Sequence, residues 1–199
     1  NIEHLIFASS SSVYGMNEKQ PFSESDITDY PVSLYAATKK SNEVLAHSYS
    51  HLHAIPITGL RFFTVYGPFG RPDMAYYKFT KSIIEGTPIQ VNNHGDMERD
   101  FTYIDDIVEG ILTVVDNPPA MKRGISSLAS APYSILNLGN NDPVSLNRFI
   151  NAIENATGKK SIKDHQPMQP GDVQITYADI DKINSKFNFK PSTSIEEGI

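Results

Sequence analysis

The feature that most constrains the fold is one long helical segment placed between two apolar runs. Residues 4–8 form a short apolar run, and residues 55–63 form a second one that is rich in strand-favouring residues. Between them the sequence predicts a helix from residue 34 to about His51, with Ser33 as its N-cap. A strand, a helix and a strand joined by long connections are typical of a parallel sheet covered by helices. The chain is therefore predicted to be an α/β protein.

The rest of the chain predicts shorter elements. They are helices at residues 75–85 and 105–115, and strands at residues 101–103 and 135–139. Ser145 is the predicted N-cap of a helix that ends near Gly158, and Asp179 is the predicted N-cap of a helix that runs to about Phe187. Asp105 and Asp106 are expected to interact favourably with the dipole of the helix that they begin. Residues 194–199 resemble the first turn of a further helix, and the chain opens beside a strand. We therefore expect a piece of a longer protein.

Composition excludes several classes of function. The chain of 199 residues has no cysteine, which excludes disulfides and thiolate metal sites. Its formal charge of −6 argues against a nucleic-acid surface, because binding phosphates requires clustered lysines and arginines. No apolar run approaches the ~20 residues that a membrane-spanning helix needs. These features predict a cytoplasmic protein that binds neither nucleic acid nor a membrane.

Tyr35 and Lys39 form the strongest local signal for chemistry. They are four residues apart on the predicted helix, so the phenol and the ammonium lie on one helix face. A nearby cation favours the phenolate and lowers the pKa of the tyrosine, which suits a general base. The spacing alone also occurs by chance, so an ordinary surface pair is the alternative.

Several motifs occur in an order that resembles a known family. A strand that ends in the serines of residues 9–12 precedes the Tyr-x-x-x-Lys helix, and a strand that ends "LRFFTVYGP" follows it. The segments "GDMERDFTYIDDIVEGI", "NLGNNDPVSL" and "PMQPGDVQITYADI" come later. In this order the chain resembles the extended short-chain dehydrogenase/reductase family, which contains nucleotide-sugar epimerases and dehydratases. The resemblance implies the C-terminal part of a Rossmann-like, doubly wound parallel sheet with a small mixed α/β substrate-binding lobe.

The resemblance also implies a division of the chain into two parts. Residues 1–66 correspond to the remaining part of the Rossmann domain, with the catalytic groups. Residues 67–199 correspond mainly to the nucleotide-sugar-binding lobe, with some segments that return to the Rossmann sheet. The N-terminal βαβ units that hold most of the coenzyme are absent, since no G-x-x-G-x-x-G occurs in the chain. We expect the chain alone to be inactive.

By resemblance, the catalytic residues are Ser10, Tyr35 and Lys39. The same three residues, together with Phe63, are implied to contact NAD. Tyr35 takes the proton of the sugar 4-hydroxyl, directly or through Ser10, while the hydride at C4 passes to the nicotinamide. Lys39 lowers the pKa of Tyr35 and hydrogen-bonds the nicotinamide ribose. The 4-keto sugar turns over in the site, and the hydride returns to its other face.

The neighbouring serines bear on the type of reaction. Dehydratases and decarboxylases of the family carry acidic residues at the positions of Ser11 and Ser12. A serine has no carboxylate with which to exchange a proton near neutral pH, so the resemblance favours epimerisation. Ser9 and Ser12 are expected to do no more than hold the turn through local hydrogen bonds.

The resemblance places the substrate on residues that are scattered along the chain: Ser11, Thr64, Arg71, Arg99 and Asp172. Arg99 is implied to bind the nucleotide diphosphate, and Asp172 the nucleotide ribose. Gln169 stands near the position where the family often has an arginine. Arg71 suits either a uronic-acid carboxylate or a phosphate, and an exposed loop charge is its alternative.

The segments "LRFFTVYGPFGRPDMA" and "PMQPGDV" resemble the UDP-glucuronate 4-epimerase branch. This branch implies NAD-dependent conversion of UDP-glucuronate to UDP-galacturonate, in carbohydrate metabolism and polysaccharide biosynthesis. One alternative is a UDP-galactose or UDP-N-acetylhexosamine 4-epimerase, and another is a non-catalytic binding member of the fold. The family also implies a homodimer.

Overall fold

The computed structural model describes residues 2–121, 131–169 and 172–199. The described strands are β1 Leu5–Ser10, β2 Ile57–Phe62, β3 Thr64–Tyr66, β4 Pro88–Val91, β5 Glu98–Tyr103, β6 Tyr133–Leu138, β7 Pro143–Ser145, β8 Ile162–His165 and β9 Ile175–Thr176. The described helices are α1 Leu34–His53, α2 Ala75–Glu85, α3 Ile104–Val115, α4 Leu146–Thr157, α5 Asp181–Phe187 and α6 Ile195–Gly198. Short 3₁₀ turns occur at Ser11–Tyr14 and Asn92–Gly95.

A three-stranded parallel sheet positions the candidate site. Its strand order is β1-β2-β6, and both outer strands run parallel to β2. The register places Ser10 beside Phe62 and Phe62 beside Leu138, so the three strands end at one edge. Helix α1 connects β1 to β2 and packs on both. The parallel α/β architecture that the sequence predicts is therefore confirmed.

Smaller sheets form the mixed part of the structure. Strand β5 runs parallel to β3 and β9 and antiparallel to β7. Strands β4 and β8 make a separate parallel pair. Of these strands, only β5 overlaps a predicted one, and it begins three residues earlier than predicted, at Glu98. The others have two to four residues each, too few to carry a clear hydrophobic period.

Three of the six described helices, α1, α4 and α6, begin at a serine whose side chain caps the helix. The Ser33 hydroxyl accepts a hydrogen bond from the Ala36 N–H at 3.1 Å, and the Ser145 hydroxyl caps α4 in the same way. Gly86 ends α2 in the left-handed conformation, with φ of 71°. The prediction that Asp179 is the N-cap of α5 is wrong, because Ile180 occupies that position and the Asp179 carboxylate accepts from the Asp181 N–H.

Two apolar clusters form the core. One lies between the parallel sheet and helices α3 and α5, and it includes Leu60, Leu136 and Ile183. The other packs α2 and α4 on β5, with the rings of Phe101 and Phe149 stacked at 4.5 Å. Helix α1 differs, since it buries few apolar side chains. Within the described residues, no helix has the length and apolar character required to span a membrane.

Asp106 has a structural role that the sequence did not indicate. Its carboxylate is buried and accepts hydrogen bonds from the N–H groups of Ser192 and Thr193, at 3.3 and 3.1 Å. It therefore fastens the segment before α6 to the start of α3. Asp105 and Asp106 both stand in the first turn of α3, as expected for residues that interact with the helix dipole, and Asp105 is exposed there.

Candidate active site

The serine run ends strand β1 and starts a 3₁₀ turn. Ser10 is buried at the last strand position, and its hydroxyl accepts from the Ser12 N–H and donates to the Ser12 hydroxyl, both at 3.1 Å. Ser10 is thus the N-cap of the turn, which Gly15 ends with φ of 59°. Ser12 makes the local hydrogen bonds expected of it. The Ser10 hydroxyl is consequently held at the carboxyl edge of the parallel sheet.

Ser9 does not make the local hydrogen bonds expected of a turn residue. Its hydroxyl donates to Oε1 of Glu43 at 2.6 Å, and both side chains are buried. This bond joins β1 to helix α1 across 34 positions of the chain. The expectation for Ser9 is therefore wrong, because the hydroxyl connects two elements.

Tyr35 and Lys39 stand in the first two turns of α1, beside the same edge. The Lys39 ammonium is 5.7 Å from the centre of the Tyr35 ring, and it donates to the Ala8 carbonyl at 3.0 Å. The Tyr35 side chain is 55% exposed. Among the described residues, no hydrogen bond engages the Tyr35 hydroxyl, and none joins it to Ser10. The phenol is therefore open to a ligand.

A cavity of about 310 Å³ brings together three residues that the sequence singles out: Tyr35, Phe63 and Arg71. Phe63 is buried and forms part of the wall. Arg71 is exposed, and its Nε is 3.5 Å from Oδ1 of Asp73. The cavity thus joins a tyrosine hydroxyl, an aromatic wall and a guanidinium that suits a carboxylate or a phosphate.

A second cavity, of about 760 Å³, adjoins the first and shares Phe69, Gly70 and Tyr76 with it. Helix α2 and the segment from Glu197 to Ile199 line its other sides. Phe69 is fully exposed and has the left-handed φ of 60°. The loop that carries Phe69 and Arg71 therefore borders both cavities.

Arg99 and Asp172 form an ion pair outside the cavity that contains Tyr35. Nη2 of Arg99 donates to Oδ1 of Asp172 at 2.7 Å, and Nη1 donates to the Gln174 carbonyl at 3.0 Å. Burial lowers the pKa of Arg99, although the Asp172 carboxylate opposes that shift. Asp172 is the last residue of the motif "QPGD", of which Pro170 and Gly171 lie outside the described residues. Neither Arg99 nor Asp172 lines the 310 Å³ cavity.

Ser11 and Thr64, the remaining predicted substrate residues, are partly buried near the sheet edge. Ser11 opens the 3₁₀ turn, and Thr64 opens β3, where it pairs with Phe101. Neither lines the 310 Å³ cavity, although Phe63 and Val65 on either side of Thr64 do. Thr64 is therefore a neighbour in sequence of two cavity residues, but neither Ser11 nor Thr64 contributes to the cavity wall.

A buried polar network supports this edge and was not predicted. Nε and Nη2 of Arg61 donate to the two carboxylate oxygens of Glu43, each at 2.8 Å. The Arg61 guanidinium also lies 4.8 Å from the centre of the Tyr14 ring, whose hydroxyl donates to Asn137. Glu43 stands four residues beyond Lys39 on α1, so the spacing along that helix face could have indicated it.

The network changes the ionisation of its members. Burial opposes the charge of Arg61, but hydrogen bonds to the Glu43 carboxylate and attraction to its charge raise the pKa of Arg61. Burial raises the pKa of Tyr14 to about 12, so its hydroxyl keeps the proton that it donates to Asn137. The Arg61 charge is therefore fixed at every accessible pH.

Comparison with known proteins decides the family. The chain matches the model of the NAD dependent epimerase/dehydratase family over residues 1–129. The chain belongs to this family. It is 55% identical to Protein CapI of Staphylococcus aureus, covering all of this chain and 61% of that protein. It is 49% identical to the Probable UDP-glucuronate 4-epimerase of Rhizobium meliloti, covering 99% of this chain and 60% of that protein.

A solved epimerase structure has the same fold. It is the UDP-glucuronic acid 4-epimerase of Bacillus cereus in complex with UDP-glucuronic acid and NAD, with a TM-score of 0.86 and 33% identity. The match covers 100% of this chain and 59% of that one. The chain thus spans about three fifths of the bacterial epimerase-family proteins that it matches. Membership of the NAD dependent epimerase/dehydratase family and the Rossmann-like fold class are confirmed.

Proposed function

We propose that this chain is part of an NAD-dependent UDP-sugar 4-epimerase. The observation that carries the proposal is the pairing of the Tyr35 ring with the Lys39 ammonium at the carboxyl edge of the parallel sheet, where Lys39 donates to the Ala8 carbonyl two residues before Ser10. In open α/β sheets this edge is where ligands bind. A hydroxyl and a phenol beside an ammonium, with the phenol in a cavity, suit the proton transfer that accompanies a reversible alcohol oxidation.

UDP-glucuronate is the proposed substrate, and UDP-galacturonate the proposed product. Arg71 supports a uronic acid, because its guanidinium belongs to the cavity of Tyr35 and matches a carboxylate. Ser11 and Ser12 support epimerisation, since neither offers a carboxylate for elimination or decarboxylation. The names of the Rhizobium and Bacillus relatives support the same substrate. A UDP-hexose without the carboxylate is the alternative that the experiment below tests.

The residues of the chain fit the nicotinamide end of NAD. Lys39 offers an ammonium for a ribose hydroxyl, and Phe63 offers an apolar wall in the cavity of Tyr35. NAD, when bound, supplies a reversible acceptor for the hydrogen at C4 of the sugar. We propose the contacts of Ser10, Tyr35, Lys39 and Phe63 with NAD on this basis.

The chain's own groups handle the proton. Tyr35 starts as a phenolate, which the Lys39 ammonium stabilises, and it becomes the phenol when it removes the proton of the 4-hydroxyl. The Ala8 carbonyl holds Lys39 in place for this task. Ser10 orients the 4-oxygen, or passes its proton to Tyr35. When the C4 hydrogen has returned to the other face of the sugar, Tyr35 gives the proton back to the 4-oxygen.

We further propose roles for the larger parts of the chain. Residues 1–66 complete a dinucleotide-binding domain, and residues 67–199 mainly bind the nucleotide sugar, with Arg99 on the diphosphate and Asp172 on the ribose. Ser11 and Thr64 contact the sugar. Exposed apolar side chains on α1, among them Leu45, Tyr49 and Leu52, support a homodimer that pairs this helix. We propose the cytoplasm as the location.

The test uses the protein at its full encoded length. UDP-glucuronate, UDP-glucose and UDP-N-acetylglucosamine are incubated separately with the enzyme, and the products are separated by chromatography. We expect UDP-galacturonate from the first and far less conversion of the other two. Tyr35→Phe should lower kcat by about a thousandfold, because it removes the proton-accepting oxygen.

The matched control is Tyr30→Phe, which removes a hydroxyl from a side chain that is 80% exposed. It should leave kcat unchanged. Preferred conversion of UDP-glucose or UDP-N-acetylglucosamine would replace the substrate assignment. Full activity of Tyr35→Phe would overturn the proposed role of Tyr35, and no conversion of any of the three UDP-sugars by the wild type would favour a non-catalytic member of the fold.

A further inference from the structure

Two adjacent residues of β1 hold two residues of α1 that are one helical turn apart. The Ala8 carbonyl accepts from Lys39 at 3.0 Å, and the Ser9 hydroxyl donates to Glu43 at 2.6 Å. Ser10 follows these two strand residues directly. These two bonds therefore fix how the start of α1, with its catalytic tyrosine, stands relative to the Ser10 hydroxyl.

Glu43 is itself held in one orientation. Arg61 donates to both of its carboxylate oxygens at 2.8 Å, and such a two-bond fork fixes the plane of the carboxylate. The strand register makes Ser9 the partner of Arg61 across β1 and β2. One carboxylate on the helix is thus bound by both strands at the same level of the sheet.

The three side chains are almost fully buried, with exposed fractions of 2% for Ser9, 5% for Glu43 and 4% for Arg61. Replacing a buried ion pair by apolar side chains is often neutral or stabilising. Nη1 of Arg61 is buried and has no hydrogen-bond partner among the described residues, so the pair is not fully satisfied. Stability therefore accounts poorly for the network, whereas its directional hydrogen bonds define one geometry.

We propose that Ser9, Glu43 and Arg61 form a positioning network that keeps Lys39 and Tyr35 of α1 aligned with Ser10 of β1. The inference rests on the proposed function, because it assigns these three residues to the support of that reaction. None of them lines the cavity of Tyr35, so they act through the residues that they hold. Loss of the network moves the Lys39 ammonium relative to the phenol and makes the phenolate harder to form.

Ser9→Ala tests the proposal with the smallest change. It removes one hydroxyl and leaves the pair of Glu43 and Arg61 in place. In the protein at its full encoded length, we expect kcat for UDP-glucuronate to fall about tenfold, with KM nearly unchanged. The acid limb of the pH profile of kcat should move to higher pH by about half a unit or more, since Tyr35 is less well stabilised as phenolate.

Ser50→Ala is the matched control. Ser50 is fully buried on the same helix, and its hydroxyl donates to the Ile55 carbonyl at 2.8 Å, at the opposite end of α1. Ser50→Ala should lower the melting temperature about as much as Ser9→Ala does, but it should leave the pH profile of kcat unchanged. Ser9→Thr, which keeps a hydroxyl on a strand position, should retain the acid limb of the wild type.

The outcomes separate the two proposals. If Tyr35→Phe is inactive but Ser9→Ala has the kcat and pH profile of Ser50→Ala, the positioning network is refuted and the epimerase function stands. Equal shifts of the pH profile in Ser9→Ala and Ser9→Thr would indicate a packing effect and also refute it. If the wild type converts none of the three UDP-sugars, the proposed function itself fails.

Discussion

Arg99 and Asp172 lie 73 positions apart in the chain and are joined by a hydrogen bond of 2.7 Å between Nη2 and Oδ1. The pair is partly exposed, with 22% of the Arg99 side chain and 32% of the Asp172 side chain accessible. A guanidinium and a carboxylate are therefore presented together at the surface, outside the cavity of Tyr35. This arrangement suits a nucleotide, whose phosphates accept hydrogen bonds and whose ribose donates them.

Arg99→Gln tests that role. Because Arg99 does not line the cavity of Tyr35, we expect KM for the UDP-sugar to rise at least about tenfold, with a smaller change in kcat. Steady-state kinetics of the protein at its full encoded length provide both values. Arg148→Gln is the control, since Arg148 forms an exposed pair with Glu196 at 2.8 Å. An unchanged KM in Arg99→Gln would remove Arg99 from the binding site.

Glu43→Gln should destabilise the fold through its pair with Arg61. The substitution leaves a buried guanidinium without its counter-charge, which costs about 3 kcal/mol in the free energy of unfolding. Urea unfolding measures the cost. Glu85→Gln serves for comparison, because Glu85 stands 3.9 Å from Lys81 in a pair that is more than half exposed. That change should cost less than about 1 kcal/mol, and equal costs would contradict the expected role of burial.

Glu154 should make the free energy of unfolding fall as the pH is lowered. Hydrogen bonds from Lys160 and from the hydroxyl and N–H of Ser161 lower its pKa from 4.5 to about 2, although burial opposes them. A carboxyl group with a lower pKa in the folded state stabilises the fold above its unfolded pKa. That contribution is lost as the pH falls through the folded pKa.

Glu154→Gln should therefore lower the free energy of unfolding by about 1 to 2 kcal/mol at pH 7. The expected loss is smaller than the full pKa shift implies, because Lys160 is exposed and solvent screens its charge. The difference from the wild type should shrink below pH 4.5 and vanish near pH 2. Chemical unfolding at a series of pH values measures it. A difference that stays constant over this range would show that the ionised carboxylate contributes nothing.

Gly139→Ala should disturb the wall behind the candidate site. A Cβ at this position would lie 2.7 Å from the Ala178 Cβ, 2.8 Å from Oδ2 of Asp100 and 3.1 Å from Cδ2 of Phe63. Overpacking of this kind costs about 1 to 3 kcal/mol. We expect a lower melting temperature and a lower kcat, because Phe63 lines the cavity.

Gly86→Asn is the control for that substitution. Gly86 has φ of 71°, and among the described residues no atom lies within 4 Å of the place that a Cβ would take. Asparagine tolerates this conformation. The variant should therefore destabilise the fold less than Gly139→Ala does. If Gly139→Ala lowered the free energy of unfolding less than Gly86→Asn does, the tight packing beside Phe63 would be contradicted.

Much of the fold follows from local signals. Ser33 and Ser145 cap their helices through the side-chain bonds that such residues favour, and Gly86 ends α2 where the left-handed conformation is needed. Strands β7 and β9 could not be predicted in the same way. Each has two or three residues and exists only because β5, remote in the chain, offers backbone partners. Their pairing energy comes from the assembled sheet.

In the candidate site, too, contacts within one element were predictable from the sequence, whereas contacts between elements were not. The spacing of Tyr35 and Lys39 is a property of one helix, so the sequence predicts their proximity and the structure contains it. The bond between Ser9 and Glu43 depends on how α1 lies across two strands. No local pattern contains that crossing. The pairing of Arg99 with Asp172 likewise required the tertiary fold, although the family resemblance named both residues.

The register of the parallel sheet has a consequence for the folding kinetics. Leu5 pairs with Ile57, and Ile57 with Tyr133, so each pairing must close a long loop before it gains any hydrogen bond. Contacts of such high sequence separation slow folding, whereas α1 can form from neighbouring residues. We expect the helix that carries Tyr35 and Lys39 to form early and the strand edge that carries Ser10 to form late. The candidate site is then completed only in the final stages of folding.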